Sequence, residues 1–516
     1  MIKKFIIAIL FITSFMSIYS QSINDSINPN GYNVFYYPNG FKLSEGNLVN
    51  GKPDGYWITY YVNGIKKSEG NRKNFLLDSI WIFYAENGDT LKKINYVQNK
   101  KNGYYYEYYT RYDSGVNSLK SKELYLNDKI QNWAFYYYPS GELKYKVKYK
   151  DNYKHGKAFQ YDKNGKLISI DEYRYNNLVS HQAVNRYNKK GQKDGQWVEV
   201  YDNGNVKNEI TYSNDLPNGV FKEYTPNGKI LKIDRYENGI LKAEITKNDS
   251  INLTELRVVK EFYKNGNLKA AFIYKDSLKY GKQIYYDING NIEKAEIYSV
   301  LGLKIAEGKM DTLGNRQGEW KLYNESGNTM ALGKYKDNKK DGYWKYYYLS
   351  GQLFEEGNYI NNLPNGEWIW YYQTGEIMLI ENFNNGIKEG LSYELSIKGD
   401  TIAKGEYVEG TKNGKWFYKI GDEYSIGKYY YNLKSGEWLH YYYPEMIKKN
   451  ICNYQEGELA GKYISWYMNK RIQSTGNYSN GQKSGKWYYY LPDGALDYNA
   501  EYINGEIVKV NDTVIK

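Results

Sequence analysis

Residues 366–386 read GEWIWYYQTGEIMLIENFNNG. Trp368 to Tyr372 and Ile377 to Phe383 are two runs of aromatic and aliphatic residues, the kind that suit a pleated, half-buried surface. Gln373, Thr374 and Gly375 separate the runs, and Asn384, Asn385 and Gly386 follow the second. Two extended runs bracketed by Asn/Gly turns predict a β-hairpin.

The same phrase recurs along the chain. Later copies start at Gly318, Gly342, Gly366, Gly390, Gly414, Gly436, Gly461 and Gly485. Earlier copies start at Gly31, Gly55, Ser79 and Gly103, with weaker ones at Gln131 and Gly156, then at Gly195, Gly219, Arg257 and Gly281. That makes eighteen starts, mostly 24 residues apart. A glycine follows nine places after most of them, as at Gly64, Gly351 and Gly375, where a turn needs a positive φ. Ten tryptophans fall two places after a start: Trp57, Trp81, Trp133, Trp197, Trp320, Trp344, Trp368, Trp416, Trp438 and Trp487. Stacked hairpins would set these rings in ladders that replace a conventional core. The repeat glycines Gly55, Gly195, Gly318, Gly342, Gly366, Gly414, Gly436 and Gly485 open their units.

The elements Gly-x-Trp-x-x-Tyr-Tyr-x-x-Gly (342–351), Glu356-Gly357-Asn358-Tyr359 and Asn480-Gly481 to Gly485 resemble the MORN repeat family in its longer bacterial variant, over roughly residues 31 to 507. The resemblance implies an all-β fold, an elongated single-layer antiparallel β-sheet solenoid of stacked hairpin repeats. It also implies a binding, scaffolding or membrane-proximal role. Some bacterial relatives carry a toxin–antitoxin label. The starting glycine is lost at Ser79, Gln131 and Arg257, and the turn changes around Ile420 and Pro444, where bulges or an altered register are expected.

The organisation follows from these boundaries: a signal peptide over 1–20, a short linker over 21–30, regular repeats over 31–155, repeats with alternating longer units over 156–317, and regular repeats over 318–516. The long units, from Gly156, Gly219 and Gly281, carry about fourteen extra residues each, read as an inserted short strand pair projecting from one edge. The first twenty residues have Lys3 and Lys4, an apolar run from Phe5 to Met16 and a small residue at Ser20, the order that export signals share. The run is about twelve residues, short of the roughly twenty a spanning helix needs. The expected location is therefore periplasmic, outer-envelope associated or secreted.

Composition narrows the function. Tyr is unusually frequent at 64 of 516 residues, Gly stands at 49, and Pro at only 9. The formal charge of +11 falls to +9 without Lys3 and Lys4, and opposite charges are interspersed. No basic stripe with a nucleic-acid motif is present, so nucleic acid is not an expected partner. Cys452 is the lone cysteine, which excludes an internal disulfide. His155, His181 and His440 are far apart in sequence, and neither a nucleophile elbow nor a phosphate loop stands out. Asp54, Asp194 and Asp341 each precede a unit's first glycine, which fits turn hydrogen bonding better than calcium ligation. The sequence thus predicts no enzyme, no catalytic residue, no cofactor and no metal. It predicts an exported scaffold that binds a protein or glycan partner along an aromatic-rich face. The alternative is a membrane-surface or envelope-structural role. Edman sequencing of the mature chain from the producing cell is expected to begin at or near Gln21, and an intact Met1 in a cytosolic fraction contradicts export.

Overall fold

The computed structural model describes residues 27–246, 256–275 and 277–514. The expected signal segment lies outside them. The chain forms two compact units, residues 1–129 and 130–516. In both, successive strands pair antiparallel with their sequence neighbours, as expected for hairpins laid side by side; the described residues hold a single short helix, Arg111–Ser114. Among the described residues no strand set closes into a barrel.

The hairpin of the opening stretch pairs Leu363–Tyr371 with Ile377–Asn384, Gly366 opposite Phe383 and Trp368 opposite Glu381. Asn385 and Gly386 take φ of +47° and +83°, the left-handed pair that a two-residue hairpin turn requires. In the equivalent turn before it, Asn362 accepts a hydrogen bond on its side-chain oxygen from the backbone N–H of Lys340 at 2.6 Å. Asn338 does the same for Arg316 and Asn176 for Lys154. The turn of one hairpin is thereby tied to the start of the hairpin before it.

Most first strands open on a bulge. Gly357 faces Trp368 while Asn358 faces Asn365, so Gly366 and Glu367 have no opposite residue on the preceding strand. The bulged chain needs a left-handed residue, and the eight repeat glycines from Gly55 to Gly485 hold φ between +63° and +100°. Where glycine is missing, Ser79 takes φ +58°. At the next irregular unit the residue in this conformation is Asn132, φ +62°, not Gln131. Asn132 faces Tyr149 as Gly342 faces Tyr359, so the unit starts one residue later than its tryptophan suggested. Ala134 then occupies the tryptophan position, and Trp133 points from the other face.

Tyrosine six places after the start joins neighbouring hairpins. Tyr348 donates from its hydroxyl to the carbonyl of Tyr371 at 2.6 Å, and Tyr372 to that of Leu395 at 2.7 Å. The same bond, 23 residues long in sequence, recurs at Tyr37, Tyr61, Tyr138, Tyr201, Tyr263 and Tyr467. It accounts for the second tyrosine of the Tyr-Tyr doublets.

Among the described residues the long units do not project a strand pair; residues 247–255 of the second lie outside them. Their extra residues are laid into the sheet as additional strands: Asn177–Ala183 beside Leu167–Arg174, Ile240–Thr246 beside Ile230–Glu237, and Lys304–Met310 between Ile292–Tyr298 and Arg316–Tyr323. At the first of these the sheet ends and a second begins. Asn185 makes the joint: its side-chain amide donates to the carbonyls of Leu167 at 3.0 Å and Val198 at 2.9 Å and accepts from the N–H of Val198 at 2.7 Å. Phe159, Leu167, Val184 and Val198 close a small core there, with Trp133 packed against it.

Within the second unit the chain also meets itself far along the sequence. The hydroxyl of Tyr153 donates to the carbonyl of Ile420 at 2.6 Å, Arg174 pairs with Glu394, and the N–H of His181 donates to Gln373 at 2.7 Å. Val179 packs on Tyr372 and Met378. The altered turn after Ile420 is part of this contact, because a β-carbon on Gly421 would stand 2.6 Å from the Tyr153 ring.

Gly357 has an ordinary φ, so replacing it tests packing alone. Gly357→Ala is expected to cost about 2 kcal/mol, because the new methyl meets the Trp368 indole. In a Trp368→Leu background the same change should cost markedly less, and equal costs in the two backgrounds, measured by urea denaturation, would contradict this packing.

Candidate functional site

The two faces of the sheet differ because side chains alternate along each strand. On one face the tryptophans lie over glycine. The ring of Trp368 covers Gly357, the glycine of the Glu-Gly-x-Tyr phrase in the preceding unit, and its indole N–H donates to the carbonyl of Asn358 at 3.0 Å. A β-carbon at Gly46 would lie 2.6 Å from Trp57, and one at Gly308 2.5 Å from Trp320. Trp81, Trp344, Trp416, Trp438 and Trp487 repeat the arrangement over Gly70, Gly333, Gly405, Gly427 and Gly476. The glycine of that phrase is therefore required for space.

At six of these eight tryptophans, Trp81, Trp320, Trp344, Trp416, Trp438 and Trp487, a cation closes the ring cluster from the edge. Lys340 places its ammonium 4.7 Å from Trp344, 5.0 Å from Tyr346 and 4.9 Å from Tyr359, and donates to the Tyr346 hydroxyl at 2.6 Å. Lys412 sits likewise among Trp416, Tyr418 and Tyr429, and Arg316 lies over Trp320 and Tyr335. Such contacts attract a cation to the negative ring face. Burial pushes the Lys412 ammonium down to about 8 and lowers Lys340 as well. The result is a sealed ladder: exposure of the eight stacked tryptophans runs from 0% at Trp344 to 6% at Trp57. The remaining two of the expected ten differ. Trp197 stands edge-on between Tyr187 and Tyr212 with Lys193 over it, and Trp133 is on the other face, 4.6 Å from the Lys146 ammonium. The aromatic face expected to meet a partner is thus mostly interior.

The opposite face is the open one. The residue after most starting glycines sits on the bulge, which lifts its side chain into solvent: Tyr56 is 49% exposed, Tyr104 47% and Tyr343 44%, whereas Val220 is buried. Beneath this row lie carboxylates held by tyrosine and lysine. Glu45 accepts from Lys42 at 2.7 Å, from Tyr32 at 2.8 Å and from Tyr60, and the Lys42 and Tyr60 hydrogen bonds hold it at about 2. Glu69 is held by Lys66 and Tyr84, and Glu356 by Tyr371 and Lys345. A concavity of about 1200 Å³ over strands 281–347 lies among Lys294, Glu307, Lys321, Lys334, Tyr343 and Lys345. Lys294 pairs there with Glu307 at 2.9 Å.

The three histidines are engaged separately. His155 packs edge-on against Tyr175 at 4.8 Å, and burial lowers its affinity for a proton. His181 bonds Asp171 at 2.6 Å, and His440 bonds Glu423 at 2.8 Å. Burial opposes charge on Glu423, yet hydrogen bonds from His440 and Lys449 hold it at about 2. Among the described residues no group of three or more His, Cys, Asp or Glu is arranged to hold a metal ion. Cys452 is buried opposite Trp438, where burial raises its thiol. Sequence reading missed the cage cations, although Lys or Arg two places before the start, as at Arg316, Lys340, Lys412, Lys434 and Lys483, was visible as a pattern.

The MORN repeat variant family matches this chain at residues 134–151, 154–175, 193–214, 217–238, 258–276, 316–337, 340–361 and 364–385. The matches at 193, 316 and 340 begin on a cage cation and end on the left-handed turn residue, and the extra strand at 304–310 lies outside every match. No curated protein matches the chain in sequence. Among solved structures, a crystal structure of TcdB2-TccC3 covers 90% of this chain at 10% identity and a TM-score of 0.14. The Photorhabdus luminescens Tc holotoxin pore covers 91% at 12% and 0.15, and a eukaryotic initiation factor 84% at 9% and 0.17. The chain spans 28% and 27% of the two toxin chains and 95% of the initiation factor. Likenesses this slight carry no functional argument.

The Lys412 cage makes a pH-dependent contribution. Its folded value of about 8 lies below the ordinary 10.5, so the unfolded chain binds more protons between them. The contribution is fully present above 10.5 and lost as pH falls through about 8. Relative to a Lys412→Met variant, the native chain should gain stability as pH rises from about 8 toward 10, and a pH-independent difference in denaturation midpoint would contradict the buried ammonium.

Proposed function

We propose that this chain, a member of the MORN repeat variant family, is an exported scaffold without catalytic turnover that binds a partner along the open face of its sheet. One observation carries the reading. Two side-chain systems, tryptophan on glycine and tyrosine to the next unit's carbonyl, lock neighbouring hairpins together, while the bulge in most units raises one further side chain into solvent. Locking makes the surface rigid, and a rigid surface loses little entropy on binding. The raised row includes tyrosines, a residue type that anchors interfaces. Export is supported by the order of charge, apolar run and small residue over 1–20. Carboxylates such as Glu45 and Glu423 are engaged between neighbouring strands, which favours a scaffold over an enzyme.

The test separates this reading from the membrane-surface alternative. The mature chain is coupled to resin, exposed to solubilised envelope, and washed at rising salt. A partner retained by the native chain and lost by a variant carrying Tyr56→Ala, Tyr104→Ala and Tyr343→Ala is the expected result. Flotation with anionic liposomes that disappears as salt rises, with nothing retained from the envelope, overturns it.

A further inference from the structure

We propose that the row Tyr32, Tyr56, Ile80 and Tyr104 in the first unit binds an extended, uncharged β-linked glycan, an inference that rests on the scaffold reading and names its partner class. The four side chains come from alternate strands, Tyr32–Tyr36, Lys52–Tyr60, Leu76–Tyr84 and Lys100–Tyr108, each one place after its unit's start. They are 58%, 49%, 59% and 47% exposed. Two strand spacings separate successive members, about 10 Å. An extended β-linked disaccharide advances by a comparable length, and every second ring of such a chain presents the same face.

The chemistry of the row fits sugar. Between its members the pairing sets amides: Tyr32 faces Asn47, Tyr56 faces Asn71 and Ile80 faces Asn95. A pyranose ring has an apolar C–H face that stacks on the negative face of an aromatic ring, and a rim of hydroxyls that needs both donors and acceptors. Asparagine supplies both. Two of the rings are oriented in advance: the Tyr32 hydroxyl is bonded to Glu45 at 2.8 Å, and Tyr104 lies 6.0 Å from Tyr106 with the Lys122 ammonium 4.5 Å over it.

Charge selects the occupant. The four members and their facing amides carry no formal charge, and the carboxylates beneath them are matched internally, Glu45 by Lys42 and Glu69 by Lys66. A neutral polyhydroxyl chain therefore complements Tyr32, Tyr56 and Ile80, and the one cation against the row, the Lys122 ammonium, is held on the Tyr104 and Tyr106 rings. In the second unit the same position is interrupted by Glu319, Glu367, Lys415 and Glu437, which confines the site to the first unit. At Trp133, where this position again carries an aromatic ring, the folded chain itself supplies the cover: a β-carbon on Gly204 would sit 3.0 Å from that indole.

Calorimetric titration of the full mature chain tests this, with uncharged β-linked oligosaccharides of glucose and of N-acetylglucosamine as probes and polygalacturonate as the charged control. At least one neutral probe is expected to bind, with an affinity unmoved by salt. Tyr56→Ala should weaken that binding about tenfold, the scale of one lost aromatic contact. Ile80→Tyr, which completes the row of rings, should strengthen it, and Glu437→Gln in the second unit should leave it unchanged. Failure of both neutral probes, tighter binding of polygalacturonate, or affinities indifferent to Tyr56→Ala and Ile80→Tyr overturns the glycan assignment. If an envelope protein is still retained through the open face, the scaffold reading survives that failure; if nothing is retained, both fall.

Discussion

A tryptophan indole laid flat on a strand needs a neighbour with no β-carbon. In eight of the eighteen units the stacking follows from that steric condition. The glycine under the ring belongs to the preceding hairpin, so each unit completes its small core only when the next unit is in place. The hydrogen bond from the indole N–H to the residue after that glycine fixes the ring's rotation as well as its position. At most of these rings a lysine or arginine then covers the edge, its head group set against the aromatic faces. This is the nearest-neighbour logic of repeat proteins realised within each sheet.

The same condition divides labour between the faces. Large rings fill one face and are buried there. The bulge that starts each first strand has a different effect on the other face, where it takes one residue per unit out of the ladder and turns its side chain outward. Surface and framework are therefore carried by adjacent residues, Glu367 and Trp368 or Tyr343 and Trp344, and substitution of the first does not disturb the packing of the second. A scaffold whose exposed row can vary while its hairpins stay locked suits recognition of an extended partner.

Regular stacking is broken where the chain carries extra strands. An additional strand ends one sheet at Val184, and Asn185 bridges to the next by bonding backbone on both sides. Farther on, the second unit brings residues 153–181 against residues 372–421. Both contacts use positions where the repeat departs from its pattern: Trp133 on the wrong face for the ladder, and the shortened turn at Gly421. Departures from the repeat are thus the places where a second layer is built.

The sequence by itself determined the hairpin unit, its period, the turn glycines and the tryptophan ladder, because each depends on residues within about one repeat of one another. It also carried the pattern of cage cations and paired tyrosines, which was legible in hindsight. At Gln131 the tryptophan misled, since the left-handed residue, Asn132, is what sets the register. Only the tertiary structure decided which aromatics face water, where the extra strands lie, and which distant strands touch. Those outcomes depend on bulge direction and on twist accumulated over many strands, so contacts such as Tyr153 to Ile420, 267 residues apart, leave no periodic trace in the chain.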